Sequence, residues 1–190
     1  NVAYVTSHVG VFRSDDGGRS WVERSGGLSY RYVHAIAVDS QNPDVAYVGT
    51  ASELNQLHAE HMQEGLHRSE GLYKTTDGGK SWKKILHVDD KTGCVEVKMH
   101  PTNPDTLIVA MYERQRDGFD TNDPAKRWGR GSGIYKTTDG GAKWTKLKEG
   151  LPTRPLGRVG ISYYKKNPDI VYAIIETDKI GDGPAVAFMG

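Results

Sequence analysis

The chain has 190 residues, and its 25 basic and 24 acidic side chains leave a formal net charge of +1. Near-neutrality without a basic block interleaved with aromatics removes the electrostatic footprint of a nucleic-acid binder, and no apolar run approaches the roughly 20 residues of a bilayer-crossing helix. One cysteine, Cys94, excludes an intrachain disulfide, while 23 glycines and 10 tyrosines against 3 phenylalanines fit many short strands joined by tight turns.

The chain opens on Asn1-Val2-Ala3-Tyr4-Val5, which matches Asp44-Val45-Ala46-Tyr47-Val48, so it is expected to start at the second strand of a repeating unit. Next comes Ser14-Asp15-Asp16-Gly17-Gly18-Arg19-Ser20-Trp21. This segment recurs as Thr75-Thr76-Asp77-Gly78-Gly79-Lys80-Ser81-Trp82 and as Thr137-Thr138-Asp139-Gly140-Gly141-Ala142-Lys143-Trp144. The tryptophans are 61 and 62 residues apart (82 − 21 and 144 − 82). Asn-Pro-Asp at 42–44, 103–105 and 167–169 keeps step with them. Asn followed by Pro has the chemistry of a type I turn, and the Gly-Gly pair offers the positive φ of a tight hairpin. Both motifs join apolar runs, so both are hairpins.

Strands are therefore predicted near 33–39, 44–51, 71–76 and 81–87, near 94–100, 106–113, 133–138 and 143–148, and near 157–164 and 170–177. With three at the start, the count is 3 + 4 + 4 + 2 = 13. Four-stranded antiparallel units repeated around an axis make an all-β propeller. The segments are 1–27 (partial), 33–88, 94–149 and 157–190 (partial), all in one domain. A start and a stop inside a unit are expected of a fragment of a larger propeller of about 7–10 blades, completed by further blades of the same chain or a neighbouring one. A parallel solenoid fits less well, because hairpin turns outnumber crossovers.

Ser/Thr-x-Asp-x-Gly-x-x-Trp is the Asp-box, or BNR, signature, and three copies in register resemble the Asp-box β-propellers. Gly71-Leu72-Tyr73-Lys74 before a box, and Asn-Pro-Asp before Tyr-Val-Gly, are similar to bacterial sortilin-like (VPS10-type) propeller proteins, often described as BNR-repeat glycosyl hydrolases. The resemblance covers essentially the whole chain. It implies that each box lies between the third and fourth strands, opposite the usual ligand face. Ser14, Asp16, Gly18 and Trp21, Thr75, Asp77, Gly79 and Trp82, and Thr137, Asp139, Gly141 and Trp144 then have structural roles. It also implies an extracellular or periplasmic location. Activity does not follow, because such relatives include sialidases, xyloglucan hydrolases, peptide-binding sorting receptors and photosystem assembly factors. The Arg-Ile-Pro motif of sialidases is missing here, and the carboxylates of the xyloglucanases sit in a cleft between two propellers.

In a propeller, the loops joining second to third strands share a face with the blade-to-blade connections. The turn residue and box Asp are 15 apart from Asn1 to Asp16, but 33 from Asp44 to Asp77 and 34 from Asp105 to Asp139. Two units thus carry loop insertions of about 18 residues, where binding normally resides. In the insertion near 51–70, His58, His61 and His67 could hold a metal with Glu60 and Glu64, or simply decorate a short amphipathic helix. The insertion near 113–132 holds Arg116, Arg127, Trp128 and Arg130. Its indole, the only one outside a box, could stack on a sugar or grip an acidic or peptide ligand, or could tuck beneath its own loop. Asn122 with Asp120 and Asp123 lacks a full calcium-loop signature. Tyr32 lies on the same face. No cofactor is expected, no catalytic constellation is recognised, and Cys94, beside Val95 in a strand, reads as a buried structural thiol. The leading expectation is a non-catalytic segment binding protein, peptide or glycan. The rivals are part of a secreted glycoside hydrolase, with Glu53, Asp89 and Glu113 on the charged face, and an assembly subunit.

Overall fold

The run Leu107-Ile108-Val109-Ala110-Met111 has no polar alternation, and alternate side chains of a strand leave opposite faces. Such a run is stable only if both faces are covered. In the computed structural model, which describes residues 1–7, 9–29, 32–51, 71–113 and 127–178, both are. Leu107, Val109 and Met111 pack with Tyr47 and Leu72 of the preceding sheet. Ile108 and Ala110 pack with Val159 and Ile161 of the following one.

The described residues form 13 strands in four antiparallel sheets. The first sheet is β1 (Ala3–Ser7), β2 (Gly10–Ser14) and β3 (Val22–Glu23). The second is β4 (Val33–Val38), β5 (Ala46–Thr50), β6 (Gly71–Thr75) and β7 (Lys83–Leu86). The third is β8 (Thr92–Met99), β9 (Leu107–Glu113), β10 (Gly133–Thr137) and β11 (Thr145–Lys146). The last is β12 (Leu156–Tyr163) with β13 (Val171–Thr177). Within each sheet neighbouring strands follow chain order. The architecture is that of propeller blades, and three core clusters fill the three joints between successive sheets. β5 repeats the logic of β9: Ala46 and Val48 face Val11 of the first sheet, and Tyr47 faces the third. Each of β4, β8 and β12 shifts register by a bulge near its start, at Val33/Ala35, Cys94/Glu96 and Leu156/Val159. A bulge adds local twist.

The repeated Asp-Gly-Gly segment links the third and fourth strands and is tied by its own side chains. Asp77 Oδ1 accepts the Thr75 hydroxyl at 2.8 Å and the Ser81 amide at 2.9 Å, while Oδ2 accepts the Ser81 hydroxyl at 2.6 Å. Thr75 Oγ1 accepts the amide of Gly79 at 2.9 Å. The same bonds recur at Ser14, Asp16, Gly18 and Ser20. They also recur at Thr137, Asp139, Gly141 and Lys143, except that Lys143 has no hydroxyl to give. Gly78 and Gly79 have φ of 72° and 82°, where a β-carbon would be strained. The Gly78 amide bonds the carbonyl of Asp44 at 3.0 Å, so the two hairpins of a blade are clasped together. Gly140 to Asp105 (2.9 Å) and Gly17 to Asn1 (3.0 Å) repeat the clasp.

Adjacent blades are latched by a tyrosine and a cation facing each other across the second and third strands. Tyr47 is paired with Lys74, and both reach the carbonyl of Gly140 in the next blade, at 3.2 and 2.9 Å. One blade earlier Tyr4, paired with Arg13, donates to Pro43 O at 2.8 Å, and Arg13 grips Asp44. The box tryptophans differ. Trp82 is buried and donates to Arg24 O of the first sheet at 2.7 Å. Trp144 is half-buried against the core between the second and third sheets, and its Nε1 has no hydrogen-bond partner. Trp21, which has no preceding sheet among the described residues, is 40% exposed and caps its own turn at Gly18 O. The ladder also begins earlier than expected in the third blade, at Thr92 rather than 94, because Thr92 pairs with Glu113.

Two outcomes follow from these bonds. Tyr47→Phe removes a hydroxyl whose acceptor keeps Lys74, so the loss should be about 1 kcal/mol in urea unfolding. Folding lowers the Asp77 carboxyl from 3.8 to about 2, chiefly through the Ser81 hydroxyl and amide, so its contribution is present above pH ~4 and disappears as pH falls towards 2. Asp77→Asn should therefore lower the urea midpoint at pH 7 yet match the parent near pH 2.

Candidate functional site

The face opposite the Asp-Gly-Gly turns is built where second strands end, third strands begin and one blade leads to the next. Its main concavity, about 510 Å³, lies between the start of β10, the end of β11 and the connection into β12. The fourth strand runs Thr145-Lys146-Leu147-Lys148, so Lys146 and Lys148 leave it on one side, and Leu147 extends the ladder by donating to Ile134 O at 2.8 Å. With Arg130 and Arg154 they place four cations around the cavity, and among the described residues no carboxylate lines it. Leu147, Leu151, Pro152, Pro155 and Leu156 supply its apolar wall, and Ser132 and Thr153 its hydroxyls.

Lys146 is held in place. Its ammonium donates to Arg130 O at 3.1 Å and stands 5.5 Å from the centre of the Tyr135 ring. A side chain at Gly133 would collide with its last methylenes. Burial lowers its pKa, Lys148 lowers it further, and Asp89 opposes both. The segment before β10 is pinned at several points. Gly129 donates to Leu156 O at 3.1 Å, Gly131 to Glu113 Oε2 at 2.8 Å, and Glu113 to Ser132 Oγ at 2.9 Å. Arg154 pairs with Asp178 at 3.1 Å.

Of the residues singled out from sequence, Arg130 lines this cavity. Trp128 and Arg127, both half-buried, immediately precede Gly129, and the Arg127 carbonyl packs against Gly157. Tyr32 leads into β4, where its carbonyl accepts the Ala51 amide at 3.3 Å, and it is not part of the cavity. Arg116, His58, His61, His67, Glu53, Asp120, Asn122 and Asp123 lie outside the described residues. Among the described residues no group of three or more His, Cys, Asp or Glu side chains could hold a metal ion. Asp89 Oδ1 is occupied by the Lys91 amide at 2.8 Å. Cys94 is fully buried, which pushes its thiol up to about 12 and keeps it from acting as a nucleophile at neutral pH. Lys146 and Lys148 were not singled out from sequence. The signal was present in the alternation Lys-Leu-Lys, but it is also what any solvated edge strand shows.

A smaller cavity of about 250 Å³ lies on the turn face between the first two blades, at Arg13, Asp15, Arg24, Asp44, Asp77 and Lys80. Arg13 is already paired there with Asp15 and Asp44.

Among curated proteins, the chain is 28% identical over 139 residues to a probable oligoxyloglucan-reducing end-specific xyloglucanase of Neosartorya fischeri, covering 73% of this chain and 15% of that protein. Among solved structures, an ancestral GH74 enzyme superposes with a TM-score of 0.62 at 22% identity, covering 90% of this chain and 20% of that one. The GH74 enzyme of Niastella koreensis gives 0.60 at 19% identity, covering 90% and 22%. The GH74 xyloglucanase of Xanthomonas campestris gives 0.60 at 14% identity, covering 90% and 24%. At these identities the structural likeness is one of fold, and the chain spans less than a quarter of each of these relatives. The family model for Sortilin-Vps10 (Sortilin, neurotensin receptor 3) matches residues 10–179, and the chain belongs to that family.

Proposed function

We propose that this part of the propeller is a binding segment that holds a glycan on its long-loop face without itself doing the chemistry. The observation that carries this reading is the cavity beside β11: concave, partly apolar, and lined, among the described residues, by hydroxyls and cations and by no carboxylate. Its size is in the range of about 300–1,000 Å³ usual for small-ligand sites. A glycosidase needs two carboxyl groups at a set separation across one bond, and this lining offers none. The family and the fold are shared with binding proteins and with enzymes alike, so neither decides the matter. The same reading places the protein outside the cytoplasm, in the periplasm or beyond the cell, where polymeric glycans are met.

A second reading is favoured by the curated relative, which is named as a probable xyloglucanase. On that reading the segment is one wall of a hydrolase, and the carboxylates nearest the face, Asp89 and Glu113, are the residues to test. Calorimetry against a panel of neutral and acidic oligosaccharides separates the two. Binding without any new reducing ends, weakened about tenfold by Arg130→Ala, is the expected result, since a charge-assisted contact contributes about 1.5–3 kcal/mol. Cleavage of xyloglucan by this protein that Glu113→Gln abolishes, with the fold intact by circular dichroism, would replace binding by hydrolysis.

A further inference from the structure

We propose that the cavity beside β11 selects an acidic sugar, taking the carboxylate of a uronic acid residue between Lys146, Lys148 and Arg130 while the pyranose ring lies on the leucine and proline wall. The inference rests on the glycan-binding reading above and adds the charge of the ligand to it.

Charge balance is the first argument. Among the described residues the lining carries four cations and no anion. Arg154 is matched by Asp178, but among the described residues no ion pair involves Arg130, Lys146 or Lys148. Lys148 repels Lys146 in this concavity, Asp89 beyond the lining opposes it to a lesser extent, and the low-dielectric wall strengthens the repulsion. The depressed pKa of Lys146, from burial first and Lys148 next, reports the same crowding. A bound anion reverses the sign of that interaction for both lysines at once.

The second argument is rigidity. Lys146 is fixed by the Arg130 carbonyl, by the Tyr135 ring and by the close approach of Gly133, so its ammonium loses little freedom on binding. One of its three N–H groups is used by Arg130 O, leaving two for a ligand. The Arg130 backbone is in turn set by the flanking Gly129 and Gly131 bonds. A pre-placed pair of donors on a flat apolar wall suits a small, planar carboxylate attached to a ring better than a flexible chain, which must be ordered at its own cost.

The third argument is the rest of the lining. Ser132 and Thr153 offer hydroxyls and Leu147, Leu151, Pro152 and Pro155 offer C–H surface, the two kinds of surface that a sugar ring presents in return. Among the described residues no aromatic ring lines the cavity, so the sugar is held there by aliphatic contact and by the charge at its edge.

The test is calorimetry of the protein with oligogalacturonate, with a neutral galactan oligomer of equal length, and with a polyglutamate peptide of equal charge. Binding of the oligogalacturonate alone is expected, weakening as salt is raised from about 50 to 500 mM, and about tenfold weaker in Lys146→Met. Lys148→Met, on an exposed side chain that the fold does not need, should weaken it severalfold, and Lys146→Arg should restore most of the affinity. Equal binding of the neutral oligomer overturns the charge selection while leaving glycan binding standing. Equal binding of polyglutamate overturns the sugar and leaves only an anion site. Binding of no glycan at all overturns both readings.

Discussion

The structure depends on the burial of each blade's second strand on both faces. In β5 and β9 every residue is buried, and consecutive side chains of one strand belong to different cores. A sheet of this kind cannot be stable alone, because a residue such as Val48 or Ile108 would be left in water with about 1.5–3 kcal/mol of burial unrealised. It follows that the stability of the array resides in the joints between blades, as in other repeat folds where each unit contacts only its neighbours. The behaviour of β13 makes the same point from the other side. Tyr172 occupies the position of Tyr47 in the repeat, but among the described residues it has neither a third strand nor a following sheet, and it is 64% exposed against 1% for Tyr47. Ile174, on the same face of the strand, is 84% exposed.

The turns serve the joints. The Asp-Gly-Gly hairpin joins the third and fourth strands, its glycine amide clasps the Asn-Pro-Asp turn of the same blade, and at Gly140 its carbonyl receives Tyr47 and Lys74 of the blade before. A single turn therefore sets the pairing within a blade and the spacing between blades. Asp16 and Asp77, each bonded by a serine hydroxyl as well as amides, are held at about 2. Asp139, opposite Lys143, is lowered by fewer bonds. Both carboxylate oxygens of Asp16 and of Asp77 are occupied by donors of their own turn, which leaves little for a substrate.

The propeller architecture was readable because its determinants are local and repeated. The spacing of Trp21, Trp82 and Trp144, the Asn-Pro-Asp turns and the unbroken apolar runs each encode one strand or one hairpin, and the repeats give the same signal several times. Strand ends were less legible. The outer strands β3 and β11 are two residues each, since an edge strand is paired on one side only and little in its sequence marks where pairing stops. The site was legible only in part. Arg130 could be named because it lies in a long loop beside Trp128, whereas Lys146 and Lys148 come from the end of a strand and join it only through the fold. Tyr32 shares the face but not the cavity, a distinction that depends on which blade carries it. No sequence spacing encodes a convergence of that kind.

The two faces of the array differ in how far their charges are satisfied, and this difference separates support from binding. On the turn face, Arg13 is matched by Asp15 and Asp44, and Asp16 and Asp77 are saturated by amides and hydroxyls close in sequence. Electrostatic energy there is already realised in the folded chain, so a ligand could gain it only by breaking bonds that hold the hairpins. On the loop face, Lys146 is immobilised by a carbonyl and a ring, neither of which neutralises its charge. Repulsion between Lys146 and Lys148 is an unfavourable term that Asp89 opposes to a lesser extent and that an anion from outside would relieve further. Charges that stability does not require, held rigidly by elements that stability does require, are the arrangement that a pre-organised binding site needs.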